Sequence, residues 1–97
     1  MRPSEALALH RMDIRRVVEQ NGARNPRVFG SVVRGEDTDE SDLDLLIDAI
    51  EGTTTLTSLV RIRREIESLT GVHTDVVTPM GLRERYREAV LAEARPV

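Results

Sequence analysis

Phe29 through Asp48 reads F-G-S-V-V-R-G-E-D-T-D-E-S-D-L-D-L-L-I-D. An apolar lead-in runs into Gly30-Ser31. Arg34-Gly35 and a polar loop follow, and Ser41-Asp42-Leu43-Asp44 then opens an apolar run. The run reads as a strand, and a strand holds alternate residues on one face. Asp42 and Asp44 therefore project together, with Cα atoms roughly 7 Å apart. Two adjacent carboxylates repel one another. A hard divalent cation keeps both ionised, and Mg²⁺ typically takes one or two carboxylates plus substrate phosphates. Gly30-Ser31, just before a turn, offers backbone N–H groups and a hydroxyl where a phosphate chain can lie. Cradle and carboxylates together point to chemistry on a nucleoside triphosphate.

Working outward, 97 residues suit a single domain, 1–97, with a modest core. Apolar residues make up 39% of the chain, but with one Phe, one Tyr and no Trp the core must be aliphatic. That aromatic poverty argues against base-stacking platforms for single-stranded nucleic acid. The net charge of −3 argues against a general phosphate-neutralising surface. With no cysteine, disulfides, thiolate metal sites and thiol catalysis are excluded. No apolar run approaches the roughly 20 residues of a membrane span, and Met1–Glu5 lacks the apolar core of a signal peptide. A soluble cytoplasmic protein is expected.

The first segment is expected to be a helix of about four turns, capped by Ser4, with Leu7, Ile14, Val17 and Val18 on one stripe, Met12 nearby, and Asn21-Gly22 as its stop. Ala23–Pro26 reads as a connection and Arg27–Phe29 as a short strand. Ser31–Arg34 reads as one helical turn, and Leu43–Ile50 as a covered strand. Thr54 or Thr55 caps a helix whose Leu56, Leu59, Ile62, Ile66 and Leu69 recur at spacings of three and four, ended by Gly71. Val72–Val77 is a third strand by its β-branched content. Thr78-Pro79 opens a last helix with Leu82, Tyr86, Ala89 and Val90 as its inner stripe and Pro96 as its end. The order α-β-α-β-α-β-α predicts a small α/β (α+β) fold, about three strands in a mixed sheet with helices packed on it.

Asp75 is the next acid of interest, because a carboxylate in mid-strand is expensive without a partner. If the third strand lies beside the second, Asp75 faces Asp42 and Asp44, and three clustered carboxylates suit one or two Mg²⁺ ions. The plain alternative is an ion pair with an arginine at a strand end. Asp37, Asp39, Asp42 and Asp44 invite a calcium-loop reading, but counting from Asp37 the sixth position is Asp42 rather than Gly and the twelfth is Asp48 rather than Glu. Arg34 serves equally to contact phosphate or to anchor the acidic loop. Asp48 reads as a salt-bridge partner at the far end of its strand. His73 reads as a surface residue sharing strand parity with Asp75, Tyr86 as core, and Arg83, Arg85 and Arg87 as a solvated face.

Gly30-Ser31, Arg34-Gly35, five intervening residues and then Ser41-Asp42-x-Asp44-Leu45 together resemble the signature of the minimal nucleotidyltransferases (MNT) of the DNA polymerase beta-like superfamily. The resemblance covers the whole chain in size and element order. Families of this size look like antitoxins encoded with a HEPN-domain toxin. The resemblance implies that Gly30 and Ser31, with Arg34 and Ser41, bind the nucleotide. It implies that Asp42 and Asp44 hold Mg²⁺, with Asp75 as third metal carboxylate and base for the acceptor hydroxyl. The implied activity is transfer of AMP from ATP to a tyrosine of the cognate HEPN-domain toxin, which silences it. Val33 departs from the pattern, standing where a small residue is usual before Arg-Gly. Two other functions remain open: an antitoxin that neutralises by covering its partner, and a nucleotidyltransferase acting on tRNA or another RNA.

Overall fold

Arg2 and Glu5 close the start of the first helix: the Arg2 N–H donates to Glu5 Oε1 at 3.1 Å and Pro3 takes the first helical position. In the computed structural model, which describes residues 1–97, this helix α1 spans Pro3–Gln20 and buries Ala6, Leu7, Ile14, Val17 and Val18. Ser4 is not its cap. Its N–H donates instead to Asp37 Oδ2 at 2.8 Å, so a carboxylate from the distant acidic loop caps the first turn. Met12 is 66% exposed, off the buried stripe.

Strand β1 spans Ala23–Phe29, longer than the expected Arg27–Phe29. The Asn25-Pro26 pair that resembles a connection is absorbed as an irregularity, with Asn25 in the left-handed region at φ 55° and the register shifting between Arg24 and Arg27. Helix α2 is Ser31–Arg34, and β2 is Leu43–Ala49. Helix α3, Leu56–Thr70, is capped reciprocally by Thr55 and Ser58 and stops at Gly71 in the left-handed conformation. Its inner face is Ser58, Ile62 and Ile66, whereas Leu56 and Leu69 remain exposed. Strand β3 is Thr74–Val77.

The expected last helix is divided. A 3₁₀ turn, Pro79–Gly81, is followed by α4, Glu84–Glu93, which buries none of its residues. Tyr86 is therefore not in the core: it is 50% exposed, with the Arg85 guanidinium 4.7 Å from its ring centroid. Beyond α4 the chain does not simply end. Arg95–Pro96 form a fourth strand, β4, so the sheet has four strands rather than about three. A proline is tolerated there because β4 lies at the sheet edge.

The sheet order is β3-β2-β1-β4. β1 pairs antiparallel with β2 and with β4, and β2 pairs parallel with β3 across the α3 crossover. Leu43, Leu45 and Ile47 of β2 join α1 and α3 side chains in one aliphatic core. Asp44, Leu46 and Asp48 alternate onto the other face, where Arg27 and Asn25 hold Asp48 at the far end. The molecule is only 18 Å deep along its shortest axis, about the depth of one sheet and one helix layer.

Two substitutions test these supports. Ile62→Ala, in the dry centre, is expected to cost about 2–5 kcal/mol. Asp37→Ala removes the carboxylate at the α1 N-terminus and is expected to cost about 1 kcal/mol. Urea titrations followed by circular dichroism check both, with the midpoint shifting and the slope unchanged.

Candidate active site

The edge of the site is set by a turn that only glycine makes easily. β1 ends at Phe29, and Gly30 follows at φ 78° before α2 begins. A Cβ on Gly30 would collide with Asp44 Oδ2, so Gly30 is also what allows the β1–α2 turn to lie against that carboxylate. Ser31 opens α2, and Gly35 closes it in the left-handed conformation. The loop beyond is tied down at two points. Asp37 caps α1, and the Thr38 N–H donates to Ser41 Oγ at 2.8 Å. The Ser41 hydroxyl is thus used in folding the loop that delivers Asp42.

Asp42 and Asp44 then emerge at the start of β2. In the sheet register Asp44 is opposite Phe29 on one side and Asp75 on the other. The Leu43 N–H donates to the His73 carbonyl at 2.9 Å, which fixes the level at which β3 starts. This brings Asp42, Asp44 and Asp75 together on the face opposite α1 and α3. Asp75 has no arginine partner. His73, expected at the surface and 62% exposed, places Nδ1 3.2 Å from Asp42 Oδ1. One donor atom from each of Asp42, His73 and Asp75 can be chosen so that all lie within 4.8 Å of one another.

Asp44 carries the strain of this grouping. Burial, then the charges of Asp75 and Asp42, push its carboxyl from 3.8 up to about 6, against the opposing pull of Arg34. Clustered carboxylates are a fitting donor set for a hard divalent cation: Asp42 and Asp75 lie within reach of one ion, and Asp44 is close enough for their charges to act on it. The imidazole of His73 adds a nitrogen donor at the rim.

Arg34 and Gly30 are not free. The Arg34 guanidinium contacts Glu36 at 3.2 Å and Glu93 at 2.7 Å, and the Gly30 N–H donates to Glu93 at 2.9 Å. Of the two expected uses of Arg34, the structure shows the anchoring one, through Glu36 and Glu93. Sequence reading missed Glu93. It lies near the chain's end among alanines, and only the return of the chain to pair β4 with β1 brings it back to Gly30.

A mixed sheet presenting Asp44 on one strand, Asp42 just before it and Asp75 on the neighbouring strand, beside a Gly-Ser turn, is the framework of a nucleotidyltransferase. The chain belongs to the nucleotidyltransferase domain family, whose model matches residues 11–97, and within it to the minimal nucleotidyltransferases. It is 34% identical to protein adenylyltransferase MntA of Thermococcus cleftensis, over 90% of this chain and 84% of that protein. It matches a solved structure described as a minimal nucleotidyltransferase with a TM-score of 0.85 and 44% identity, over 97% of this chain and 95% of the other. A toxin-antitoxin structure with AMP-PNP shares the fold at a TM-score of 0.70 and 17% identity, covering 84% of this chain and 66% of that one.

The raised Asp44 pKa has a consequence for stability. Between about pH 4 and pH 6 the folded state holds a proton that the unfolded chain releases, so stability falls as pH rises through that window and the full cost is present above it. In metal-free protein at pH 7.5, Asp44→Asn is expected to be more stable than wild type by on the order of 2 kcal/mol, and the difference should vanish near pH 4. Adding Mg²⁺ should stabilise wild type and leave Asp44→Asn nearly unchanged. Thermal unfolding at the two pH values, with and without Mg²⁺, checks this.

Proposed function

We propose that this nucleotidyltransferase transfers AMP from ATP to a tyrosine hydroxyl of a cognate HEPN-type toxin and silences it, acting in the cytoplasm. The observation that carries this reading is the meeting of Asp42, Asp44 and Asp75 beside the Gly30-Ser31 turn. The relative named protein adenylyltransferase supports AMP as the group moved and a protein as the acceptor. The shape of the site supports it as well. The carboxylates stand on the sheet face opposite the α1–α3 layer, where a bulky acceptor can approach.

Asp42, Asp44 and Asp75 would hold Mg²⁺, which when bound supplies positive charge against the phosphates. The remaining work belongs to the chain. The Ser31 hydroxyl and the backbone of the turn bind the triphosphate. The tyrosine oxygen attacks the α-phosphorus, forming one P–O bond. The bond to the β-phosphate breaks, and pyrophosphate leaves with its electron pair. The acceptor proton passes to the Asp75 carboxylate. Positioning and charge neutralisation supply most of the rate in such transfers.

Large apolar side chains exposed on several elements, Leu9, Met12, Leu56 and Met80 among them, favour a second reading in which the chain neutralises its partner by covering it. One experiment separates the two. Incubated with its toxin, ATP and Mg²⁺, the wild-type chain should add about 329 Da per AMP to the toxin by intact-mass spectrometry, while Asp42→Ala and Asp44→Ala should add none. Masking instead predicts no mass gain and full protection of cells by Asp42→Ala. Labelled nucleotide recovered in RNA rather than protein would shift the acceptor to RNA.

A further inference from the structure

The end of α4 bears on the cradle itself. Glu93 is 22% exposed and spans the two donors that the nucleotide reading assigns to phosphate. Its Oε2 accepts the Gly30 N–H at 2.9 Å, and its Oε1 accepts Arg34 Nη1 at 2.7 Å. A carboxylate that bridges a backbone N–H and a guanidinium through separate oxygens uses the same donors, in the same way, as one face of a phosphate group. The Gly30 N–H, and further Arg34, hold its carboxyl below the ordinary value against the opposing effect of burial, so it is ionised at neutral pH. Its charge also reaches Asp44. Arg34 is meanwhile shared between Glu93 and Glu36. A polyphosphate entering here meets donors already occupied by an anion.

We propose that Glu93 is an internal occupant of one phosphate position, and that a nucleotide's polyphosphate must displace it, moving the C-terminal end of α4 away from the Gly30 turn. This rests on the nucleotidyltransferase reading of that turn. The anchors around Glu93 lie on either side of it: Arg87 donates to the Pro79 and Leu82 carbonyls, and Val97, four residues on, is buried in the core with its N–H on the Pro26 carbonyl. Ala94 leaves the helix in an extended conformation, and β4 pairs with β1 through only Arg95 and Pro96. α4 itself buries no residue, so its C-terminal end can shift between those two anchors. The reaction therefore starts with an exchange of one anion for another, and nucleotide affinity is lower than the cradle alone would give.

Glu93→Gln keeps an oxygen for the Gly30 N–H and removes the charge; Glu93→Ala removes both. Isothermal titration with tripolyphosphate and with Mg²⁺-ATP is expected to show both variants binding at least about threefold tighter than wild type, with circular dichroism reporting unchanged fold. In isotope-labelled wild type, the Glu93 and Ala94 amide resonances should shift together with Gly30 on adding Mg²⁺-ATP. Wild type that binds, with variants equal to it or weaker, overturns the proposal alone and makes Glu93 a brace for the turn. Glu93 and Ala94 resonances that stay still while Gly30 shifts overturn it too, even if neither variant folds. Failure of wild type and variants alike to bind either probe overturns both the proposal and the nucleotide reading beneath it.

Discussion

The parallel pairing of β2 with β3 is the constraint on which the site depends. It sets Asp44 level with Asp75, and Leu43 level with Thr74. A parallel pair needs a crossover, and α3 is that crossover, its Ile62 and Ile66 in the core that also holds Leu43, Leu45 and Ile47. The same strand residues thus serve both layers by alternation. The odd positions of β2 are buried against helices; of the even ones, Asp44 and Asp48 carry acid to the other face, with buried Leu46 between them. A slip of one residue would exchange the two sets, placing carboxylates in the core and leucines at the site. Burial of the aliphatic face is what holds three mutually repelling carboxylates in place.

That repulsion is visible in the one strongly displaced titration of the site. Asp44 sits deepest, between Gly30 and Asp75, and its proton affinity is raised by burial before its neighbours contribute. Asp42 lies nearer solvent and has His73 beside it. The three acids are therefore inequivalent. Around them the positive charge is small: Arg34, the cation that lowers the Asp44 pKa, is shared with Glu36 and Glu93. The site is acidic by construction.

Much of this was legible in the residues, because the informative signals were local. Period-two alternation from Asp42 to Asp48 marked the strand and the shared face of its acids. Spacings of three and four marked α3, and Gly71 marked its end. The placement of Asp75 needed one further step, the assumption that consecutive parallel strands are neighbours. What escaped depended on contacts distant in sequence. Ser4 looked like a cap because serines often are, but Asp37 took that role from 33 residues away. Asn25-Pro26 looked like a break, yet pairing with β2 carried β1 past it. Tyr86 looked apolar enough to be buried, although α4 has no sheet face to pack on. Glu93 had no local signal of any kind.

Gly30 does more than turn the chain. Because Asp44 lies where its side chain would be, the turn and the carboxylate share a single van der Waals boundary, with no room for water or a methyl group between them. The turn and the acid nearest to it are thereby in direct contact rather than two parts separated by solvent. A side chain in place of Gly30 would therefore have to move Asp44 as well as bend the turn. One close contact thus couples the geometry of the turn to the position of the carboxylate.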